Sequence, residues 1–227
     1  MAKGPEIPTL VVSSRIRELP TTPRGARTRE ALVAAARAVF ERDGFINSRL
    51  TDITAEAHCS IGTFYTYFDS KEEVFTALMQ TVQDDMLHPG LPHVDADPGN
   101  VAAILHASNR AYLEAYQRNA KLMLLLEQVA TIDPEFRELR LARGRAFSER
   151  NAQWIRRLQD QGYADPTLDP MRSAEALSGM VGRMAYLELA LGQGETDLDT
   201  LADTATRLWL NALGIPPTGP STDGPQH

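Results

Sequence analysis

The stretch Ser48–Lys71, SRLTDITAEAHCSIGTFYTYFDSK, decides the fold of this chain of 227 residues. Its apolar residues fall at helical spacing in two short segments, Arg49–Ala57 and Ile61–Phe68, which a three-residue turn joins. A longer segment, Arg27–Arg42, precedes them with its own apolar stripe. Gly44 predicts the end of that segment, because glycine tolerates the left-handed conformation of a helix cap. Two short helices braced by a longer one predict a helix-turn-helix.

The segment Ile61–Phe68 is expected to present an uncharged polar face. Phe64 and Phe68 lie four residues apart and are predicted to point into the core. Ser60 is expected to cap this helix, as Ser48 is expected to cap the one before it. The outward positions carry glycine and hydroxyl side chains: Gly62, Thr63, Thr66 and Tyr67, with Tyr65 at the flank. Such a face, at a helix N-terminus that attracts phosphate, is suited to a duplex groove.

The same residues resemble the DNA-binding domain of the TetR family of repressors. The run IGTFYTYFxSK at Ile61–Lys71 is the specific part, and the rest of the chain shows the family's all-helical layout. The resemblance implies that Ile61–Tyr67 is the recognition helix, with Tyr65 and Lys71 at positions that touch phosphates. The DNA-contacting residues it implies are Ser48, Arg49, Thr51, Ser60, Ile61, Gly62, Thr63, Tyr65, Thr66, Tyr67 and Lys71.

Three residues depart from the family's pattern. His58 stands in the turn where glycine is usual, and Thr54 stands where alanine is usual. These two predict a slightly different turn. Ile61 stands where many members carry lysine or another polar residue, which bears on one base contact.

Composition is consistent with a soluble DNA-binding protein. Apolar residues make up 43% and charged residues 23%, which is ordinary for a globular chain. The net charge of −7 argues against DNA binding, but it is unevenly distributed. Residues 14–42 hold seven arginines and three glutamates, a balance of +4, and phosphate binding depends on the local field.

Several other classes of protein are not indicated. The single cysteine, Cys59, excludes an internal disulfide and is interpreted as a small buried hydrophobe, with a redox switch as the alternative. No apolar run reaches the length of a membrane helix and no signal peptide is recognisable, so a cytoplasmic location is expected. Metal-ligand spacing, a glycine-rich phosphate loop and a Ser/His/Asp set are not found in the sequence. We therefore expect no enzyme activity, no cofactor and no metal.

The pattern predicts an all-α fold of about nine helices in four regions. These are a disordered arm (1–23), a helix-turn-helix DNA-binding domain (24–70), a larger helical ligand-binding and dimerisation domain (71–214) and a disordered tail (215–227). The arm's arginines either reach phosphates beside the main contact or touch nothing. The helices expected in the larger domain are Lys71–His88, Val101–Arg118, Lys121–Ala130, Pro134–Gln161, Met171–Leu191 and Leu198–Leu213, with a loop at Leu91–Asn100.

The larger domain is predicted to pair with a second copy and to hold a ligand. Dimerisation is expected through the last two helices, at Leu177, Ser178, Val181, Gly182, Ala185, Leu201, Ala205, Leu208 and Trp209. A pocket is expected from family resemblance and from aromatic and methionine side chains. The ligand-binding residues predicted are Tyr112, Tyr116, Met123, Leu126, Glu127, Phe147, Asn151, Trp154, Met180, Arg183 and Met184.

These expectations combine into one hypothesis and one alternative. The hypothesis is a homodimeric repressor on a palindromic operator in double-stranded DNA, released when a small, mainly hydrophobic effector shifts the helix Lys71–His88. The alternative is a DNA-binding activator or architectural protein whose distal domain binds a protein partner instead of a ligand.

Overall fold

The computed structural model describes residues 20–87, 100–192 and 197–216, and these ranges form nine α-helices and no strand. This confirms the all-α class predicted from the sequence. A π-helical segment, Tyr186–Ala190, follows α8 directly. No helix in these ranges is long and apolar enough to cross a membrane. The helices are α1 (Pro23–Asn47), α2 (Leu50–Glu56), α3 (Ile61–Tyr67), α4 (Lys71–Leu87), α5 (Val101–Arg118), α6 (Ala120–Ile132), α7 (Pro134–Asp160), α8 (Pro170–Ala185) and α9 (Leu198–Ala212).

The first helix begins earlier than the apolar stripe indicated. Thr22 is its N-cap, and the Thr22 hydroxyl accepts a hydrogen bond of 3.1 Å from the amide of Gly25. Pro23 occupies the first turn, where its missing N–H costs nothing. At the other end, Gly44 leaves helical geometry with a φ of 76°, as its position predicted. The helix therefore includes Pro23, the last residue of the predicted arm.

The second helix is capped differently from the prediction. Ser48 was expected to be its N-cap, and this is wrong because Arg49 holds that position. The Ser48 hydroxyl instead donates back to the carbonyl of Phe45 at 2.9 Å, which ties it to the end of α1. The Asp52 carboxylate accepts from the amide of Arg49 at 3.1 Å and closes the start of α2.

Other helix starts follow the sequence more closely. The Ser60 hydroxyl accepts from the amide of Thr63 at 3.1 Å, as expected for α3. The amide of Glu73 donates to the Ser70 hydroxyl at 3.2 Å, which is one half of a capping box at the start of α4. In the other half, the Glu73 carboxylate accepts from the amide of Asp69 in place of Ser70. Side-chain oxygens thus satisfy amides that the first turns leave free.

The described chain divides into two compact units. The head unit contains residues 20–85 and 119–143, and the pocket unit contains residues 86–118 and 144–216 within the described ranges. The expected boundary between residues 70 and 71 falls inside the head unit, which also takes in most of α4, all of α6 and the start of α7. Residues 1–19, 88–99, 193–196 and 217–227 lie outside the description, and with them most of the predicted arm, loop and tail.

The head unit is built around a cluster of phenylalanine rings. Phe45 lies 5.4 Å from Phe40 and 5.0 Å from Phe75, between ring centres, and Phe136 lies 5.5 Å from Phe75. All four are buried, and edge-on or tilted packing of this kind is favourable for aromatic rings. The rings come from α1, α4 and α7, while α6 packs against α1. The three-helix motif is therefore fixed to a larger apolar core.

The pocket unit is held by α5, α8, α9 and the second part of α7. Helix α5 packs along α9, and a buried hydrogen bond of 3.1 Å joins the Asn109 amide to the Thr206 hydroxyl. The indole rings of Trp154 and Trp209 lie 6.4 Å apart, between α7 and α9. A hydrogen bond of 2.8 Å from the Asn151 amide to the Ser178 hydroxyl joins α7 to α8. Polar contacts thus set the relative positions of the helices that line this unit's cavity.

Candidate functional site

The turn between α2 and α3 adopts the conformation that glycine favours. His58 has a φ of 50°, and within the described residues it is the single non-glycine residue with positive φ. Cys59 follows it, is partly buried, and has a thiol whose pKa is raised by burial. A thiol with a raised pKa forms less of the reactive thiolate at a given pH. The turn therefore has the geometry of a glycine turn even though histidine occupies it.

The buried side of α3 fixes the orientation of its outer side. Phe64 and Phe68 are fully buried and lie 5.7 Å apart between ring centres. Away from these two rings, Ile61 is 42% and Tyr65 48% exposed, and Gly62 is exposed as well. The helix thus presents the residues around Tyr65 to solvent, as the apolar spacing predicted.

Hydroxyl groups on α3 are arranged by short-range hydrogen bonds. The hydroxyls of Ser60 and Thr63 lie 3.0 Å apart, and the Thr66 hydroxyl donates to the carbonyl of Gly62 at 3.1 Å. Ser60 and Thr66 are exposed, whereas Thr63 is half-buried. Each hydroxyl oxygen keeps acceptor capacity for a base edge or a bridging water. The face is polar, uncharged and close to its own backbone, which suits close approach to a groove.

Exposed arginines lie at the start of each of the two helices that precede α3. Arg49 at the start of α2 is exposed, as is its neighbour Thr51. The Tyr67 hydroxyl lies 3.5 Å from where a side-chain carbon on Gly25 would be, so the start of α1 lies next to the end of α3. Arg24 in that part of α1 is exposed. Arginines placed beside a polar helix are positioned to bind the phosphates that flank a groove.

The Lys71 side chain binds backbone carbonyls within the head unit, and the phosphate contact that the resemblance implied stays a prediction. Its ammonium group donates to the carbonyls of Phe45 at 2.6 Å, Ile46 at 3.3 Å and Ser48 at 3.1 Å. It also lies 4.6 Å from the centre of the Phe45 ring. These carbonyls belong to the end of α1, so Lys71 fastens the start of α4 to it. Ser48, which is 4% exposed, belongs to the same junction.

The pocket unit contains a cavity of about 100 Å³. Its walls come from α5, α7, α8 and α9, and four of the thirteen lining side chains are aromatic. The lining residues are Ile104, Leu105, Ser108, Asn109, Tyr112, Phe147, Arg150, Asn151, Trp154, Arg157, Ser178, Val181 and Trp209. A cavity with apolar walls and a few polar groups is the usual form of a small-molecule site.

Four of the predicted ligand-binding residues line this cavity, namely Tyr112, Phe147, Asn151 and Trp154. Tyr116 is buried in α5, and Met180, Arg183 and Met184 lie on α8 outside the lining set. Met123, Leu126 and Glu127 belong to α6 of the head unit, where Glu127 forms an ion pair of 2.6 Å with Arg140. The stripe pattern could not separate core positions from cavity positions.

Most of the predicted dimer residues are buried within their own unit. Ser178, Val181 and Trp209 line the cavity. Gly182 faces inward, because a side-chain carbon there would lie 3.7 Å from the Tyr112 hydroxyl. The small residues of α8 thus allow close packing inside the protomer. Of the nine residues predicted, Leu208 alone is exposed, at 42%, while Leu177, Ala185, Leu201 and Ala205 are buried.

Comparison with known proteins agrees with this architecture. Residues 32–78 match the family described as bacterial regulatory proteins, tetR family. The chain is 25% identical over 210 residues to the HTH-type transcriptional regulator EthR of Mycolicibacterium smegmatis, covering 87% of this chain and 95% of EthR.

Solved structures show the same fold. Salmonella enterica GusR superimposes with a TM-score of 0.67 at 18% identity, covering 87% of this chain and 100% of GusR. A complex of SmeT with triclosan superimposes with a TM-score of 0.65 at 20% identity, covering 88% of this chain and 99% of SmeT. SmeT is described as the repressor of a multidrug efflux pump of Stenotrophomonas maltophilia.

The matched residues 32–78 contain the whole helix-turn-helix and run into α4. Helix spacing, the capped α3 and its exposed hydroxyl face agree with this match. Residues 32–78 therefore form a helix-turn-helix DNA-binding domain of the tetR family, and the chain is similar along most of its length to transcriptional regulators that carry this domain.

Proposed function

We propose that this regulator is a cytoplasmic repressor that binds a palindromic operator as a homodimer and leaves it when a small, mainly hydrophobic ligand binds. One observation carries the proposal: a single chain combines an exposed, uncharged α3 with a separate unit that encloses an aromatic-lined cavity. A reading helix and a ligand cavity in one chain are the two sites that allosteric release requires.

On the DNA side, α3 is the element proposed to enter the major groove. Thr63, Thr66 and Tyr65 supply hydroxyls to base edges and phosphates, and the amide end of α3 faces a phosphate. Arg24 and Arg49 are exposed at the starts of α1 and α2 and are proposed to supply positive charge for the DNA backbone. Ser48 and Lys71 act indirectly by holding the end of α1.

A second copy is required because one short helix reads few base pairs. Two heads on an inverted repeat roughly double the contact energy. The proposed dimer surface is the exposed side of α8 and α9, around Gly179 and Leu208. A side-chain carbon added at Gly179 would meet nothing within 4 Å, so a partner helix has room to approach there.

Ligand release requires different affinities in two conformations. A ligand shifts the equilibrium by no more than its differential binding free energy, so a coupling of about 1–3 kcal/mol is needed to change operator affinity roughly 5- to 150-fold. The complex of SmeT with triclosan is a precedent for a small-molecule complex on the same fold. The ligand is proposed to enter the pocket unit, and α4, which begins in the head unit, is proposed to transmit the change.

The test is footprinting of the purified full-length protein on the DNA upstream of its own gene, at two salt concentrations. The proposal predicts protection of a near-palindrome, with affinity that falls steeply as salt rises, because several phosphate contacts release counterions. A matched protein with Thr66→Ala should show altered sequence preference. The absence of sequence-specific protection, both on this fragment and on a random-sequence library, would contradict the proposal.

A further inference from the structure

The charged groups that line the cavity are all positive. Arg150 and Arg157 are two of its thirteen lining residues, and no aspartate or glutamate is among them. Both arginines lie on α7, seven residues apart, and therefore on the same face of the helix. Arg157 is exposed, whereas Arg150 is half-buried. The field inside the cavity thus favours an anion over a neutral or cationic guest.

Arg150 has a desolvated guanidinium without a carboxylate partner in the described part of the chain. Burial lowers the pKa of Arg150, and no neighbouring charge opposes that shift. Its charge lies 5.0 Å from the centre of the Phe147 ring, which offers only weak compensation. A partly buried cation that lacks a counterion has lost hydration and regained little. An anionic guest would restore the missing pairing.

A second unmatched polar group lies in the same wall. The indole N–H of Trp209 is buried and has no hydrogen-bond partner, and the residue is 4% exposed. A buried donor without an acceptor is unfavourable, and most buried donors in native proteins are paired. By contrast, the Asn109 and Asn151 amides of the lining already have hydroxyl acceptors. The cavity therefore contains unmatched positive charge, and one of its lining residues, Trp209, carries an unmatched donor that is covered in this conformation and needs a side-chain movement to reach an acceptor in the cavity.

The volume of the cavity limits the size of the apolar part of the ligand. A volume of about 100 Å³ is smaller than the roughly 150 Å³ of an engineered cavity that binds benzene. Rings of Tyr112, Phe147, Trp154 and Trp209 supply flat apolar walls. Side-chain adjustment on binding can accept one aromatic ring, whereas a long chain would exceed the space. The walls thus fit one ring or a body of similar size.

We propose that the cavity binds a small organic acid, with one carboxylate on an apolar body about the size of one aromatic ring. Arg150 pairs with the carboxylate, and the indole N–H of Trp209 donates to the same group after a small side-chain movement. This proposal deepens the proposed function, since it names the chemical class of the effector. In this proposal Arg150 binds the ligand's carboxylate in addition to its contact with the Phe147 ring.

The test compares acids with their neutral amides. Benzoate and cinnamate, and benzamide and cinnamamide, are titrated calorimetrically into the full-length protein and its variants. We expect each acid to bind at least tenfold tighter than its amide. Arg150→Gln should bring that ratio close to one, while Arg156→Gln, an exposed arginine outside the lining, should leave it unchanged. Arg150→Lys should restore part of the preference.

Three results would overturn the proposal. These are equal binding of acid and amide to the native protein, no acid binding at millimolar concentration, and an unchanged ratio in Arg150→Gln. A parallel operator-binding assay separates this proposal from the function on which it rests. Acid binding through Arg150 with unchanged operator affinity would refute ligand release alone. Release by neutral apolar compounds, with no binding of acids, would refute the organic-acid class alone.

Discussion

Replacing Lys71 with methionine is expected to destabilise the head unit. The Lys71 ammonium donates to three carbonyls at the end of α1, at 2.6, 3.1 and 3.3 Å, and so joins residues more than twenty positions apart. Lys71→Met keeps the aliphatic stem beside the Phe45 ring and removes every donor. The carbonyls then depend on water or remain unpaired.

The size of the effect follows from the hydrogen bonds. A hydrogen bond to a charged group contributes about 1.5–3 kcal/mol. Because Lys71 is partly exposed, water replaces some of the lost bonding, and we expect a loss of about 1–2 kcal/mol in the free energy of unfolding. For a chain of this size, that loss corresponds to a decrease in Tm of about 2–8 °C.

Circular dichroism during thermal and urea unfolding measures this change. Lys121→Met is the control, because Lys121 is an exposed lysine on α6 of the same unit. Operator affinity, measured at a temperature where both proteins are folded, should fall less than about threefold. If Tm stays within 1 °C while operator affinity falls tenfold or more, Lys71 contacts phosphate and its role at this junction is refuted.

Three further substitutions test the reading face, the dimer surface and the turn. Tyr65→Phe removes one exposed hydroxyl, so operator affinity should fall about fivefold, equivalent to about 1 kcal/mol, with Tm unchanged; equal affinity would remove Tyr65 from the contact set. Leu208→Glu should shift the protein toward monomer in light scattering. Leu141→Glu is the control, because Leu141 is 43% exposed and Leu208 is 42% exposed, and it should leave the dimer intact. If both variants remain dimeric, the interface does not include Leu208. His58→Gly should raise the free energy of unfolding by about 0.5–1 kcal/mol, because glycine adopts a φ of 50° without side-chain strain; a loss of stability would show that the histidine side chain contributes more than its backbone costs.

The ends of most helices could be predicted because local chemistry determines them. Leu198–Ala212 differs by one residue from the predicted Leu198–Leu213, since an acidic cap at Asp197 and the glycine at 214 bound it. The hydroxyl of Ser60 and the geometry of Gly44 were also predictable from short-range patterns. The role of Ser48 could not be predicted in this way. Its hydrogen-bond partner, the carbonyl of Phe45, became known only when the structure showed where α1 ends.

The cavity was harder to predict because it depends on contacts between distant helices. Ser178 and Trp209 lie on apolar stripes of α8 and α9, and a stripe has the same spacing whether it faces a core, a cavity or a second copy. Arg150 belongs to a run of arginines on α7 in which periodicity alone distinguished no member. Its burial, and the lack of a carboxylate partner for it in the described chain, could be recognised only from the packed structure.

The proposed recognition of an inverted repeat by a dimer, through α3, is tested by selecting binding sites from random duplex DNA. The full-length protein and a Tyr65→Phe, Thr66→Ala double variant are used in parallel, and the bound sequences are read. We expect enrichment of one inverted repeat whose half-sites lie about one helical turn, or a multiple of it, apart, and a changed or weakened half-site for the variant. Enrichment of a single unrepeated site, or the same repeat at the same affinity with the double variant, would contradict it.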